Sequence, residues 1–523
     1  MHISQSQSIG HTVPKRHRHR QLPRSLDKSE VPYKARLTPD PMSRCFTMPA
    51  SDDCTSYPEL LSVFNQCSPR VYLCVVLCFP YDDRRREETV QHLRQSLKRL
   101  ANERPIFAGR LHAIGDGKVL LRRSRSYDIP FEVVGNEDGE QIDYKQLRNE
   151  EFPPETFVHS RFGVPGLVDS NHSSLPVSKV QATFARGGLL LSIFLHHALT
   201  DGGSLKVFLE AFGSQTRNIP THLPSEQKLR IPGLKLPNTQ SHKYSDIGAF
   251  KRLVTCCPEY TILPDLSGPT QPRLHKTGLP IPNIERIGKI FVFTTDRLQQ
   301  LRELVRLMNG SSDPPTAYMS LAALAFAHIT KARIKTEKFL AGIEPGQTGM
   351  LWNSVNWRSR AFPGATDNYF GNAALPAVTR IAREQLNAAC YDDHALARLV
   401  PLVKESIDVV DEEYVSRRMA MMYQAPDPRM VGVNYDPRTP ESLAFNTWRH
   451  FGADVEWEIP GVPVTKPDSI RRASGGWTLG TALILPAKAE ATKQELFVSL
   501  SVDAMEALCQ DDRWMRWVDR IIS

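Results

Sequence analysis

The sequence predicts an α/β protein with mixed sheets, built in two structured halves. Three observations lead there. The chain is 523 residues long and 41% hydrophobic, enough for two or more cores. Apolar runs of strand length alternate with segments whose apolar residues recur at the three-to-four spacing of a buried helical face. A stretch rich in Pro, Ser, Thr and His, residues 214–285, separates the two sets of elements and has the composition of a crossover with room for short helices. No run reaches the ~18 uninterrupted apolar residues of a membrane span.

Residues 1–36 read as a disordered basic tail, with His, Ser, Gln and Arg but no apolar periodicity. Asp27 and Glu30 are its only carboxylates, and all but two of the chain's net +8 charges lie there. The remaining body therefore lacks the basic surface that nucleic acid requires. KRHRHR (15–20) reads as a solvated extension rather than a nuclear address or an RNA-binding arm. No apolar core follows the basic residues, unlike a secretory signal. The nine cysteines show no paired CxxC spacing. Reduced thiols and a cytoplasmic location are expected.

The N-terminal domain is assigned to residues 37–213. VYLCVVLCF (71–79) is a strand, with Cys74 and Cys78 as core thiols. In residues 87–105, Val90, Leu93, Leu97 and Leu100 share one helical face, and Pro105 ends the helix. IFAGRLHAIGDGKVLLRRS follows as a hairpin around a Gly-Asp-Gly turn, and VSKVQATFARGG (177–188) is a further strand. Cys256 and Cys257, in the connection, are assigned no function. The C-terminal domain, 286–523, opens with the strand KIFVFTT. DRLQQLRELVRLMNG is then a helix with Asp296 at its start and Gly310 at its end. An Ala-rich helix (313–333) holds His328 as a packing residue. Residues 385–436 read as helical, with Met419–Met422 filling core, and strands and a helix close the chain.

The chemistry concentrates in GGLLLSIFLHHALTDGGS (187–204). Leu189–Leu195 have the composition of a strand buried on both faces. It ends in His196 and His197. Asp201, Gly202 and Gly203 then open a helix whose apolar face is Leu205, Phe208, Leu209 and Phe212. A neutral imidazole at the lip of a dry core accepts a proton near neutral pH. His197 is read as the general base and Asp201 as its structural companion, turned back into the protein to fix the loop. His196 and Gly202 are supporting residues, the glycines permitting a tight turn and close backbone approach. The chain has no GxSxG elbow, GxxxxGK[ST] loop or GxGxxG. No further cluster completes a metal site around His196, His197 and Asp201.

HHALTDGGS resembles the HHxxxDG signature shared by BAHD-type acyl-CoA-dependent acyltransferases and peptide-synthetase condensation domains. Two other blocks decide between them. A helix, then PIFAGRL (105–111), then a hairpin is similar to the BAHD N-terminal region. VNWRSR (355–360), a proline turn and YFGNA (369–373) resemble the fungal secondary-metabolite branch of that family.

The resemblance implies two similar chloramphenicol-acetyltransferase-like domains, each a mixed sheet flanked by helices. A channel would run at their interface with His197 near its middle. It implies that an arginine of VNWRSR pairs with Asp201: Arg358, with Arg360 as the alternative. Asn446-Thr447-Trp448 resembles the family's Ser/Thr-x-Trp element, so Asn446 or Thr447 is the expected oxyanion donor, aided by backbone N–H groups near Gly202. The family's Asp-Phe-Gly-Trp-Gly reads here Asp454-Val455-Glu456-Trp457-Glu458. Both glycines are gone, which leaves the packing of that loop open. The implied activity is transfer of an acyl group, acetyl by default, from acyl-CoA to a hydroxyl, or an amine, of a small natural product such as a terpenoid, alkaloid or polyketide. The enzyme would be a monomer with no permanently bound cofactor and no metal. The alternatives are the same fold using a carrier-protein acyl thioester, or one that binds or cyclises a product without acyl transfer.

Overall fold

The computed structural model describes residues 57–134, 142–159, 162, 174–221, 246–263, 281–337, 346–361 and 369–523. The basic tail and parts of the 214–285 connection lie outside the described residues.

Gly188–His196 is the middle strand of a five-stranded sheet. Its order is Ser469–Ala473, Tyr72–Pro80, Gly188–His196, Ser178–Ala185 and Phe131–Val134. Every residue of the middle strand is buried, and the pleat explains why. Leu189, Leu191, Ile193 and Leu195 face a core shared with the helices Arg86–Glu103 and Gly202–Thr216. Leu190 and Phe194 face a second cluster with Cys74, Cys78 and Phe157. A strand feeding two cores has no polar side, so it reads as a continuous apolar run.

The C-terminal half builds a seven-stranded sheet. Its order is Ala374–Ala382, Thr348–Asn356, Ser442–Thr447, Thr481–Ile484, Lys493–Ser501, Arg286–Thr294 and Arg520–Ile522. Ser442–Thr447 runs parallel to both neighbours while the remaining pairs are antiparallel. The sheet is thus mixed, and the α/β class read from the sequence is the one observed. The helix Ala317–Thr336 is buried along much of its length. His328 inside it is a packing residue held 2.9 Å from Asp511.

Four local features depart from the sequence reading. The strand of the VNWRSR block ends at Asn356, so Arg358 sits in the following turn. Thr294, not Asp296, caps the helix Thr295–Asn309, its hydroxyl accepting from the Arg297 N–H at 3.2 Å. Asp296 lies in the first turn, where the positive end of the helix favours a carboxylate. The connection carries a short helix, Ile247–Thr255, as its composition allowed, but also a strand that the sequence did not suggest, Tyr260–Ile262, paired with Val431–Val433. Finally, Ser469–Ala473 is a strand that adds C-terminal chain to the N-terminal sheet, antiparallel to Tyr72–Pro80.

The loop that lacks the two glycines packs through Trp457. Its ring is 1% exposed and lies edge-on to Phe212 at 5.3 Å and Phe79 at 6.1 Å. The close approach here rests on a glycine of the helix instead. A Cβ at Gly213 would fall 2.5 Å from Val455 Cγ1 and 2.8 Å from the Glu456 carbonyl oxygen. Gly213→Ala gains about 1 kcal/mol of helix propensity, but overpacking against a backbone carbonyl costs about 1–3 kcal/mol. The expected result is a lower melting temperature by circular dichroism, and a higher one would mean that the loop yields freely.

Candidate active site

The two histidines at the strand end point to different environments. The His196 ring is fully buried and meets Tyr72 edge-on at 4.9 Å. Its Nδ1 accepts from the Ala198 N–H at 3.2 Å, which places the ring proton on Nε2. It shapes the turn. Continued alternation puts His197 on the face of Ile193 and Leu195. Its backbone is held from both sides: its N–H donates to the Val71 carbonyl at 2.8 Å, and its carbonyl accepts from Asn372 Nδ2 at 2.8 Å. The ring keeps part of its surface accessible, while Nδ1 is buried without a hydrogen bond of ordinary geometry. Burial pushes its pKa below the usual imidazole value. Its own carbonyl, the charge of Asp201 and Asn372 pull the other way but do not prevail. Desolvation therefore favours the neutral imidazole.

Asp201 does none of this chemistry. It is the N-cap of Gly202–Thr216, Oδ1 accepting from the Ser204 N–H at 2.9 Å. Arg358 closes on it with both arms, Nη2 to Oδ1 at 2.7 Å and Nη1 to Oδ2 at 2.9 Å. The Ala373 N–H adds a contact to Oδ2 at 2.8 Å. Burial acts against its charge, yet Arg358 and these backbone donors hold its pKa below the usual carboxylate range. Arg358, in turn, donates to the carbonyls of Tyr369 at 3.0 Å and Gly371 at 2.8 Å. Arg360 instead donates to the Ile407 carbonyl at 3.1 Å. Between the two candidate arginines, Arg358 is the partner of Asp201.

The glycines of the motif act by absence of a side chain. Neither Gly202 nor Gly203 has a positive φ. A Cβ at Gly203 would sit 2.7 Å from Arg358 Nη1, and one at Gly202 would overlap the Phe451 ring. Close approach, not turn geometry, requires them.

Asp201, Gly202, Arg358, Asn446 and Thr447 share the wall of a cleft of about 350 Å³. His196 and His197 are not among its lining residues. Asn446 Oδ1 accepts from the Thr447 N–H at 2.7 Å, so its amide nitrogen is the end left to donate. Thr447 Oγ1 accepts from the Arg449 N–H at 3.2 Å, which leaves its hydroxyl hydrogen free to turn. Sequence reasoning missed Asn372. It links the His197 carbonyl to Asn65, whose Oδ1 accepts from the Asn372 N–H at 2.8 Å and from its Nδ2 at 3.0 Å. The signal was present, as the Asn of YFGNA. Among the described residues, no group of three or more His, Cys, Asp or Glu side chains is placed to hold a metal, and no helix is long and apolar enough to cross a membrane.

Comparison with known proteins places both halves of the chain. Residues 71–212 match the trichothecene 3-O-acetyltransferase-like N-terminal domain, and residues 276–515 match the Transferase family. Acyltransferase easC of Emericella nidulans is 23% identical over 486 residues, covering 90% of this chain and 96% of that protein. The trichothecene 8-O-acetyltransferase of Fusarium sporotrichioides is 21% identical, covering 88% and 97%. The structure of F. graminearum TRI101 with ethyl coenzyme A superposes with a TM-score of 0.71 at 16% identity, over 90% of this chain and all of that one. Vinorine synthase superposes with a TM-score of 0.55 at 18% identity, over 91% and 96%. With both halves matched and the two-domain acyltransferase fold shared, the chain belongs to the Transferase (BAHD) family of acyltransferases.

Proposed function

We propose that this protein transfers an acyl group, acetyl by default, from acyl-CoA to a hydroxyl of a small natural product, with His197 as general base. The two halves, 37–213 and 286–523, would act as the two domains of the fold. The observation that carries the reading is the separation of roles at the motif. His197 keeps an accessible ring edge in surroundings that favour its neutral form, while Asp201 is engaged by Arg358 and the Ser204 and Ala373 N–H groups. That solved relatives hold coenzyme A together with T-2 mycotoxin or deoxynivalenol supports a CoA thioester as donor and a hydroxylated acceptor.

The chemistry then needs few parts. With Nδ1 buried, the Nε2 edge of His197 takes the hydroxyl proton as the oxygen attacks the thioester carbonyl. The tetrahedral oxyanion is met by a donor from Asn446 or Thr447, with backbone N–H groups near Gly202. Collapse breaks the C–S bond, and the imidazolium returns its proton to the departing CoA thiolate. A thioester is already activated, so no covalent enzyme intermediate is required.

The direct test incubates the protein with acetyl-CoA and a panel of hydroxylated terpenoids, alkaloids and polyketides, and follows free thiol. Release that requires an acceptor is the expected result. Transfer only from an acylated carrier protein, with none from CoA, would move the assignment to the alternative donor. The state of His197 sets the pH dependence. Protonation removes the base, and the folded-state pKa lies below the ordinary value. The rate should therefore be flat around pH 7 and fall on the acid side, with its half-point under the usual ~6.5. A half-point above that value would contradict a desolvated His197.

A further inference from the structure

The cleft of about 350 Å³ that holds Asn446 and Thr447 carries a surplus of positive charge. Arg358, Arg360, Arg449 and His450 line it, and Asp201 is the only carboxylate among its described lining residues. Arg358 already matches that charge. Arg360 gives Nη1 to a neutral acceptor, the Ile407 carbonyl, at 3.1 Å. Arg449 has less. Its Nη1 is buried with no hydrogen-bond partner, and no described residue forms an ion pair with it. The carboxylate whose charge reaches it is Asp454. That group is committed elsewhere, Oδ1 to Lys466 at 3.1 Å and Oδ2 to the Ala489 N–H at 3.0 Å. A guanidinium nitrogen withdrawn from water without a partner is costly, and a cleft lined by one sign of charge draws in the opposite sign.

The backbone fixes where this charge stands. The Arg449 N–H donates to Thr447 Oγ1 at 3.2 Å, and its carbonyl accepts from the Ala487 N–H at 3.1 Å. The unpaired arginine is thus pinned to the turn that follows Asn446 and Thr447. The next residue extends the basic track. His450 lines this cleft and a neighbouring one of about 490 Å³, which also carries Lys206. Burial, then the charges of Arg449 and Lys206, push the His450 pKa below the usual imidazole value, so the three basic groups lie within electrostatic reach of one another. Met319, Val355, Ile407 and Phe451 give the first cleft apolar walls. An apolar-walled cleft beside several cations suits a ligand with an uncharged reacting end and an anionic remainder.

We propose that Arg449 is the anion-binding residue of this cleft, taking one phosphate or carboxylate group of a substrate that reacts beside Asn446 and Thr447. The inference rests on the acyl-transfer reading. The anion has two sources, a phosphate of the CoA donor or a carboxylate on the acceptor.

Arg449→Met and Arg449→Lys, compared with the wild-type full chain, test it. Methionine keeps most of the apolar stem and removes an unpaired charge, so Arg449→Met should melt no lower than the wild type. Calorimetric titrations with CoA, cholic acid and methyl cholate separate the sources. Loss of about tenfold or more in CoA affinity, the worth of one charge-assisted hydrogen bond, with methyl cholate unaffected, assigns Arg449 to the donor. Unchanged CoA affinity with a similar loss for cholic acid, and none for its ester, assigns it to the acceptor. Arg449→Lys, which keeps the charge, should retain part of the lost affinity in either case. The proposal is overturned if Arg449→Met melts clearly below the wild type, if methyl cholate loses affinity as much as the charged ligands do, or if neither CoA nor cholate affinity depends on residue 449. A wild-type protein that binds no CoA would instead overturn the acyl-CoA reading, and Arg449 would then stand or fall on the difference between cholate and its ester.

Discussion

Replacing Arg358 with methionine is expected to cost the folded state about 3–5 kcal/mol, the usual penalty for stripping one partner from a buried ion pair. Arg358 is 1% exposed and contacts both oxygens of Asp201. Its loss leaves a carboxylate in the core with only the Ser204 and Ala373 N–H groups. It also frees the carbonyls of Tyr369 and Gly371, which belong to the segment carrying Asn372. Against a total stability of about 5–15 kcal/mol, the variant should unfold at distinctly lower denaturant and lose most activity. Removing the stranded charge as well, in Arg358→Met/Asp201→Asn, should cost less than the two single changes added together, by about 0.5–3 kcal/mol. Urea unfolding of the four proteins measures this cycle, and strict additivity would show that the pair is not coupled. The sign of the pH dependence follows from Asp201. Its folded pKa is depressed, so the stabilisation holds above the unfolded carboxylate value of ~3.9 and is lost as pH falls through the folded one.

How much of this was legible depended on the range of each interaction. Gly188–His196 and the helix after Asp201 could be read because their signals are local: a continuous apolar run, a capping carboxylate, and apolar residues at helical spacing. The Arg358–Asp201 pair could not be derived from spacing, because 157 residues separate the partners. It became visible only through the resemblance of VNWRSR to a family block. The strand Ser469–Ala473 escaped for a similar reason. Its place is set by Tyr72–Pro80 at the other end of the chain, and two arginines in five residues conceal the alternation. Gly202 and Gly203 were half understood. Their value lies in what approaches them, Phe451 and Arg358, and a sequence carries no record of approach. Asn372 was visible as a letter of YFGNA, but its tie to the His197 carbonyl is a tertiary fact.

His197→Ala should remove the reaction while leaving the protein folded. The side chain makes no hydrogen bond through Nδ1, and its two firm attachments, to Val71 and Asn372, are through the backbone. Alanine preserves both. The ion pair beneath is untouched, so stability should change by much less than in Arg358→Met. Loss of a positioned general base costs ~10²–10⁴-fold in rate, with no matching loss of donor binding, because the base contributes to proton transfer rather than to holding CoA. The decisive measurement is acceptor-dependent CoA release by His197→Ala beside the wild type, with CoA affinity determined calorimetrically on both. Release reduced by ~10²-fold or more at unchanged affinity is the predicted result. Release within tenfold of the wild type, from a folded variant that binds CoA equally well, would contradict the assignment of His197 as the base.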